Sequence, residues 1–205
     1  MIVFSYFTLD GPTEGFYKEK GSKFLSFAYP VTTEAEIREK LEGLKKKYFD
    51  AKHHVYAYVL GHPENKYRAF DAGEPNHSAG DPILGKIRSK HLENVLVVVV
   101  RYFGGVKLGV GGLVQAYKAA AEEALINAVI IKQEMTETFR ITYDYAASPD
   151  VMRLLRDFEL KVLKQRLEDN GTLEVELKLR NKDKFMERME LLKALKIGLK
   201  WENIF

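Results

Sequence analysis

Six consecutive aliphatic residues, Val95 to Val100, constrain the fold of this chain most, because such a run predicts a strand buried on both faces. The strand ends at Arg101-Tyr102-Phe103, and the glycine-rich segment Gly104-Gly105-Val106-Lys107-Leu108-Gly109-Val110-Gly111-Gly112 follows it. Apolar residues at helical spacing then predict a helix from Leu113 to Asn127. A buried strand, a glycine-rich loop and a helix in this order indicate an α/β layer with a candidate binding loop.

The glycine-rich segment has the properties of an anion site. Glycines allow backbone amides to approach a ligand, and a helix N-terminus adds unpaired N–H donors and partial positive charge. The segment matches neither the Walker A nor the dinucleotide-binding pattern, so it predicts no nucleotide cofactor. The alternative is a tight turn that lets the helix pack against its strand. The predicted anion- or nucleic-acid-binding residues are Lys23, Arg101, Gly104, Gly105, Lys107, Gly109, Gly111 and Gly112.

A second candidate site lies around Asp71, Glu74 and His77, with His53 as a further acid/base group. Two carboxylates and a histidine this close together could form an acid/base pair or a metal site. The alternative is a polar loop whose carboxylates bond their own backbone. Their spacing matches no metal-binding pattern, so we predict no metal. His53 and His54 are adjacent in a predicted strand, so they should face opposite sides of the sheet.

Further elements follow from local patterns. Ile2 to Leu9, Lys23 to Val31 and His54 to Leu60 are rich in aromatic and β-branched residues, which predicts strands. Thr33-x-x-Glu36 is a capping box and predicts the start of a helix. We predict a polar loop over Gly61 to Ser78, and a short helix over Asp81 to His91 with Pro82 in its first turn.

The last third of the chain predicts a separate domain. Its strands are Met135 to Tyr143, Leu160 to Leu167, Thr172 to Leu179 and Ile197 to Phe205, and helices begin at Ser148 and Lys182. This βαββαβ order is ferredoxin-like. We therefore predict an α+β protein with two domains, residues 1–132 and 135–205. The boundary lies near Lys132 to Met135.

Composition narrows the class of protein. The 205 residues carry a formal net charge of only +3, so any nucleic-acid binding must come from local clustering of lysine and arginine. The absence of cysteine removes disulfides, thiolate metal sites and cysteine nucleophiles. No apolar run approaches the about 20 residues of a membrane helix, and residues 1–10 do not resemble a signal peptide. We expect a cytoplasmic protein.

Several stretches, in order, resemble the IMPACT/YigZ family. They are Lys20-Gly-Ser-Lys-Phe24, Ala51-Lys-His-His-Val-Tyr-Ala-Tyr58, Asp71-Ala-Gly-Glu-Pro75 with Ala79-Gly-Asp-Pro-Ile-Leu84, and the long run from Val97 to Tyr117. The residues after position 134 are similar to the small domain of bacterial YigZ-like members. The family usually has Asp-Asp-Gly-Glu-Pro where this chain has Asp71-Ala72-Gly73-Glu74-Pro75. That departure weakens any mechanism that needs paired aspartates.

The resemblance implies a first domain with the fold of the second domain of a small-subunit ribosomal protein. It also implies a second domain like the last domain of elongation factor G. Eukaryotic members carry an additional RWD domain and restrain an initiation-factor kinase. We do not transfer that role, because the sequence shows no RWD domain.

Three functions remain open from the sequence. The first is a translation-related protein that binds RNA or a ribosome-associated component through the basic glycine-rich loop. The second is an enzyme acting on a phosphorylated or peptide-like small substrate through Asp71, Glu74 and His53. The third is a regulator that binds a protein partner through its C-terminal domain. We expect a binding protein rather than an enzyme, without a cofactor.

Overall fold

The computed structural model describes residues 4–204, which divide into two compact units. Residues 6–133 form the first unit, and residues 134–204 with residues 4 and 5 form the second. Both units contain sheets and helices, so the predicted α+β class is confirmed. None of the helices among the described residues is long and apolar enough to cross a membrane.

The first unit is built on a five-stranded sheet with the order β2-β3-β6-β4-β5. Strands β1 and β7 form a separate two-stranded sheet. The elements are β1 (Ser5–Leu9), β2 (Thr13–Glu19), β3 (Ser22–Pro30), α1 (Glu34–Lys47), β4 (His53–Leu60), β5 (Lys66–Phe70), α2 (Gly80–Ser89), β6 (Val95–Tyr102), α3 (Gly109–Ile126) and β7 (Ile130–Glu134).

Strand β6 lies at the centre of this sheet and pairs antiparallel with β3 and β4. Val95, Val97 and Val99 belong to the core that includes residues of α2 and α3, whereas Leu96, Val98 and Val100 belong to the core beneath α1. All six side chains are fully buried. The aliphatic run therefore has the two-sided burial that its sequence predicted.

The structure also corrects several predictions in this unit. The predicted loop over 61–78 contains β5, an edge strand of exposed and half-buried residues. The helix predicted from Leu113 begins four residues earlier, at Gly109. Strands β2 and β7 were not predicted. The predicted helix start is confirmed, because the Thr33 hydroxyl accepts a hydrogen bond from the Glu36 amide at the start of α1. The reciprocal bond differs from a capping box, since the Glu36 carboxylate accepts from the Thr32 amide rather than from the Thr33 amide. The start of the predicted first strand, at residues 2 and 3, lies outside the described residues.

The second unit follows the βαββαβ order that the sequence predicted. Its elements are β8 (Thr136–Tyr143), α4 (Ser148–Asp157), β9 (Lys161–Leu167), β10 (Gly171–Lys178), α5 (Lys182–Ala194) and β11 (Leu199–Asn203). The strands form one antiparallel sheet with the order β11-β8-β10-β9. Alternate residues of β8 and β10 are buried, and they pack with residues of α4 and α5 in one core.

Candidate nucleic-acid interface

The glycine-rich segment, residues 104–112, joins the central strand β6 to the first turn of α3. Because α3 begins at Gly109, the amides of Gly109 to Gly112 form the first turn of an 18-residue helix. The N-cap residue is Leu108, and no side-chain hydrogen bond caps this end. First-turn N–H groups have no partner within a helix and carry partial positive charge. This helix end therefore has the donors that an anion needs.

The structural reason for glycine differs from one position of the segment to the next. A Cβ on Gly104 would collide with the backbone of Gly21 and Ser22, so this glycine permits a close crossing of two chain segments. Gly105 and Gly109 have φ of +87° and +71°, which disfavour other residues. Gly111 has neither reason, because a Cβ there would meet nothing within 4 Å. Only Gly111 is left without a conformational or packing explanation.

Lys107 is exposed beside this helix end. It lines a pocket of about 340 Å³ together with Glu74, Arg101 and the first turn of α3. Val110, 58% exposed, forms part of the same wall. The pocket therefore combines the Lys107 ammonium group, which forms no ion pair within residues 4–204, the first-turn amides of α3 and the edge of a buried ion pair.

That ion pair joins Arg101 to Glu74, and both side chains are almost fully buried. Arg101 Nη1 donates to Glu74 Oε1 over 2.7 Å, and the Tyr117 hydroxyl donates to the same oxygen over 2.7 Å. Arg101 Nη2 also donates to Ser22 Oγ over 3.3 Å. Burial, followed by the Glu74 charge, raises the pKa of Tyr117 far above its usual range. The network holds Tyr117 in its protonated form, and the positive charge of Arg101 compensates the negative charge of Glu74.

The structure separates Lys23 from Arg101. In β3, Phe24 is the register partner of Arg101 and packs in the core with α3, so Lys23 projects to the α1 side. Lys23 lines a groove with Tyr102 on that side. The anion site predicted as one cluster is therefore two places on opposite faces of the sheet. Whether these residues bind a ligand stays a prediction.

Asp71 holds the start of α2. Its Oδ1 accepts hydrogen bonds from the amides of Ala79 and Gly80 over 3.0 and 2.8 Å, and its Oδ2 accepts from the His77 amide over 2.9 Å. These bonds replace the missing partners of first-turn amides. The carboxylate predicted as an acid/base group thus serves as a helix cap, the local alternative that the sequence left open.

The imidazole rings of His53 and His77 have polar partners other than the side chains of Asp71 and Glu74. His53 Nδ1 lies 3.0 Å from the Ala72 carbonyl oxygen. His77 is exposed and bonds Asp81 over 2.6 Å, a contact that raises the pKa of His77. His53 and His54 are register partners of Arg101 and Val100, whose side chains lie on opposite faces, as predicted. Burial lowers the pKa of His54.

No set of three or more His, Cys, Asp or Glu residues within 4–204 is arranged to hold a metal ion. Glu74 and Lys107 do line one pocket, which the enzyme hypothesis required. Both carboxylates of that hypothesis, however, are engaged by protein donors. The catalytic roles of Asp71, Glu74 and His53 stay predictions.

Sequence reasoning missed the aromatic side chains around the α1-side groove. Phe16 and Phe103 are 48% and 55% exposed, and both line the groove with Lys18 and Lys23. In the structure, the burial of Thr13 to Glu19 alternates residue by residue. That alternation is weak in the sequence, because glycine and charged residues interrupt the apolar positions.

The second unit presents a polar face opposite its helices. Glu202, Arg140, Glu174 and Lys164 are register neighbours on β11, β8, β10 and β9. Their charges alternate, and consecutive members form ion pairs with N–O distances of 2.6 to 3.1 Å. The hydrogen bonds from Lys164 and Arg140 lower the pKa of Glu174. Each charge in the row is matched by its neighbour.

Comparison with known proteins bears directly on the first unit. The model of the Impact N-terminal domain matches residues 20–125, which is more than half of the chain and spans β3 to α3. The chain belongs to the IMPACT family. The matched residues include Asp71, Glu74, Arg101 and the whole glycine-rich segment.

Relatives extend this membership over the whole chain. The IMPACT family member YvyE of Bacillus subtilis is 30% identical over 199 residues, covering 97% of this chain and 92% of the relative. An IMPACT family member of Thermus thermophilus is 47% identical over 104 residues, covering 51% of this chain and 55% of the relative. The IMPACT family member YigZ of Escherichia coli is 28% identical over 146 residues, covering 70% of this chain and 72% of the relative.

A solved structure supports the fold. The crystal structure of a hypothetical protein superposes with a TM-score of 0.74 at 24% sequence identity. The match covers 100% of this chain and 99% of the other. It shows that the two-unit architecture occurs in an experimental structure.

Proposed function

We propose that this IMPACT-family chain is a translation-related, cytoplasmic binding protein that holds the phosphate backbone of RNA, free or within the ribosome, at the first turn of α3. One observation carries the proposal. The amides of Gly109 to Gly112 begin an 18-residue helix that has no side-chain cap among residues 4–204, and Lys107, which forms no ion pair with those residues, lines the pocket beside them. Helix N-termini of this kind bind phosphate through backbone donors and partial charge.

The surrounding residues support phosphate rather than a small neutral ligand. The negative charge of Glu74 in the pocket is compensated by Arg101 over 2.7 Å, so it does not oppose an incoming anion. Gly111 leaves open space where a ligand can reach the backbone. Glycine in a helix costs about 0.5–1 kcal/mol relative to alanine. The fold itself gives no reason for glycine at position 111, whereas access of a ligand to the backbone does.

Substitution of Lys107 tests the proposal. Phosphate contacts release counterions, so RNA affinity should fall steeply between about 50 and 200 mM salt. Lys107→Ala should weaken binding and reduce the salt slope by about one. Lys46→Ala, an exposed lysine on α1, is the matched control and should behave like the wild type. Affinity that is flat with salt, or identical for Lys107→Ala and the wild type, would refute the proposal.

A pair of glycine substitutions separates folding from binding. Gly111→Ala and Gly85→Ala each add a methyl group to an exposed helical position with open space around it. Both should stabilise the fold slightly, because alanine is the better helix former. Only Gly111→Ala should weaken RNA binding, since its methyl group occupies the proposed approach to the amides. Equal RNA affinity of the two variants would contradict the proposed contact.

The second unit is left without a proposed ligand. Its charge row is internally paired, and no observation on that face selects a partner. A protein partner of this unit remains the prediction made from its sequence.

A further inference from the structure

A groove on the α1 side of the first sheet combines exposed aromatic rings with lysines. It has a volume of about 460 Å³, within the range of ligand sites. The residues that matter are Phe16, Lys18, Lys23, Tyr48, Tyr102 and Phe103. We infer that this groove, named here the aromatic–lysine groove, binds the unpaired bases of single-stranded RNA. The inference rests on the proposed function and adds that the groove selects single-stranded RNA.

The first observation is an unfavourable charge arrangement. Lys18 of β2 and Lys23 of β3 are register partners in an antiparallel pair, directly opposite each other. Neither lysine forms an ion pair with any of residues 4–204. Like charges placed opposite each other destabilise a sheet. The repulsion between the two lysines costs the sheet stability, whereas an anionic ligand would bind between two positive charges.

The second observation is the exposure of flat apolar rings beside those lysines. Phe16 lies on the edge strand β2 and Phe103 follows β6, and about half of each side chain faces solvent. The Nζ of Lys18 lies 5.3 Å from the centroid of the Phe16 ring. Every base has a π face that can stack on such rings, and nearby cations then meet its phosphate. An unpaired nucleotide offers a base that stacks on the rings and a phosphate that pairs with the lysines.

Tyr102, which also lines the groove, is held in place. The Tyr102 hydroxyl donates a hydrogen bond to Asp50 Oδ1 over 2.7 Å, and this bond raises the pKa of Tyr102 to about 12. Tyr102 is therefore protonated and fixed at neutral pH, and its hydroxyl engages the nearby Asp50 carboxylate. The ring presents a rigid surface, which reduces the ordering cost of binding.

Phe103 connects the groove to the phosphate site. It lines both the aromatic–lysine groove and the pocket that contains Lys107. Its other neighbour is the Arg101 guanidinium, 5.6 Å from the ring centroid. A strand whose phosphate sits at the first turn of α3 can thus pass Phe103 and place its next bases in the groove.

The test compares two probes of equal charge. A ten-nucleotide oligouridylate carries bases, and an abasic oligomer of the same length carries phosphates alone. Affinities are measured by fluorescence anisotropy at fixed salt. The wild type should bind oligouridylate more tightly, by about 5- to 150-fold for each stacked base. Lys107→Ala should weaken both probes by a similar factor, because it removes a phosphate contact.

Phe16→Leu keeps an apolar side chain on β2 and removes the ring. It should lose most of the preference for bases while binding the abasic oligomer like the wild type. Tyr67→Leu is the matched control. Tyr67 lies on β5, the opposite edge strand of the sheet, is 62% exposed, and has the Arg88 guanidinium over its ring. That variant should keep the preference. Circular dichroism checks that both variants are folded.

The outcomes are distinct. If Phe16→Leu keeps the full preference for bases while Lys107→Ala weakens both probes, the groove assignment is wrong and the phosphate site stands. If the wild type binds neither probe, both proposals fail. If an oligoglutamate peptide displaces oligouridylate at equal concentration, the groove recognises charge alone and the assignment to bases is overturned.

Discussion

Removal of the Arg101 guanidinium would expose the energetic role of the buried pair. Arg101→Met keeps a long apolar side chain but leaves the Glu74 carboxylate buried, with only the Tyr117 hydroxyl as a hydrogen-bond donor. The side chains of Arg101 and Glu74 are 6% and 5% exposed, so water replaces the lost partner only in part. The unpaired charge is therefore the main cost of this substitution.

Breaking a buried ion pair by removing one partner costs about 3–5 kcal/mol. The matched control is Lys90→Met, which removes one of two lysines that pair with Glu122 on α3. That site is partly exposed and keeps Lys86, so its free energy of unfolding should change by less than about 1 kcal/mol. The difference between the two variants isolates the effect of burial.

The free energy of unfolding is measured by urea titration followed by far-UV circular dichroism. The chain has one tryptophan, Trp201 on β11, so its fluorescence reports the second unit separately. In the double variant Arg101→Met/Glu74→Gln, about half or more of the lost stability should return, because no charge is left unpaired. A loss below about 1 kcal/mol for Arg101→Met alone would refute the assignment of a buried, mutually dependent pair.

Three further outcomes follow from single contacts. Asp71→Ala should lower the free energy of unfolding by about 1–2 kcal/mol, measured by urea titration, because α2 loses its cap; an unchanged value would contradict the capping role. Lys18→Glu should raise it by about 0.5 kcal/mol by creating an opposite-charge pair with Lys23, and a loss of stability would count against the register. His77 should titrate by NMR above 6.5, because Asp81 favours its charged form. The stability from that pair is therefore complete below the unfolded pKa and declines as pH rises through the raised folded pKa; a midpoint unchanged in Asp81→Asn would refute the pairing.

Strong local patterns predicted most of the architecture. The aliphatic run of β6, the Thr33 helix cap and the alternation in β8 and β10 each depend on neighbouring residues alone. The edge strands β2 and β5 escaped prediction, because an edge strand has few buried positions and tolerates charge and glycine. Their position at the edge of the sheet determines which of their residues are buried, and a single sequence does not show that position.

The candidate site was harder to predict for a related reason. The sequence shows that Arg101, Lys23 and Lys107 carry charge, but the register of β3 against β6 places Lys23 and Arg101 on opposite faces. It shows acidic residues near one another, but their hydrogen bonds decide that Asp71 caps α2 and that Glu74 pairs with Arg101. A long-range contact assigned the role of Glu74, and the path of the loop before α2 assigned the role of Asp71.

The most direct test follows the backbone amides themselves. Amide signals of Gly109 to Gly112 are recorded by ¹H–¹⁵N NMR while a short oligouridylate is added, with the first turn of α1 as the internal control because Thr33 caps it. Phosphate binding predicts saturable shifts at the start of α3, weakened in Lys107→Ala and absent at the start of α1. Shifts elsewhere in the chain with the α3 amides unmoved would contradict an RNA phosphate site at this helix end.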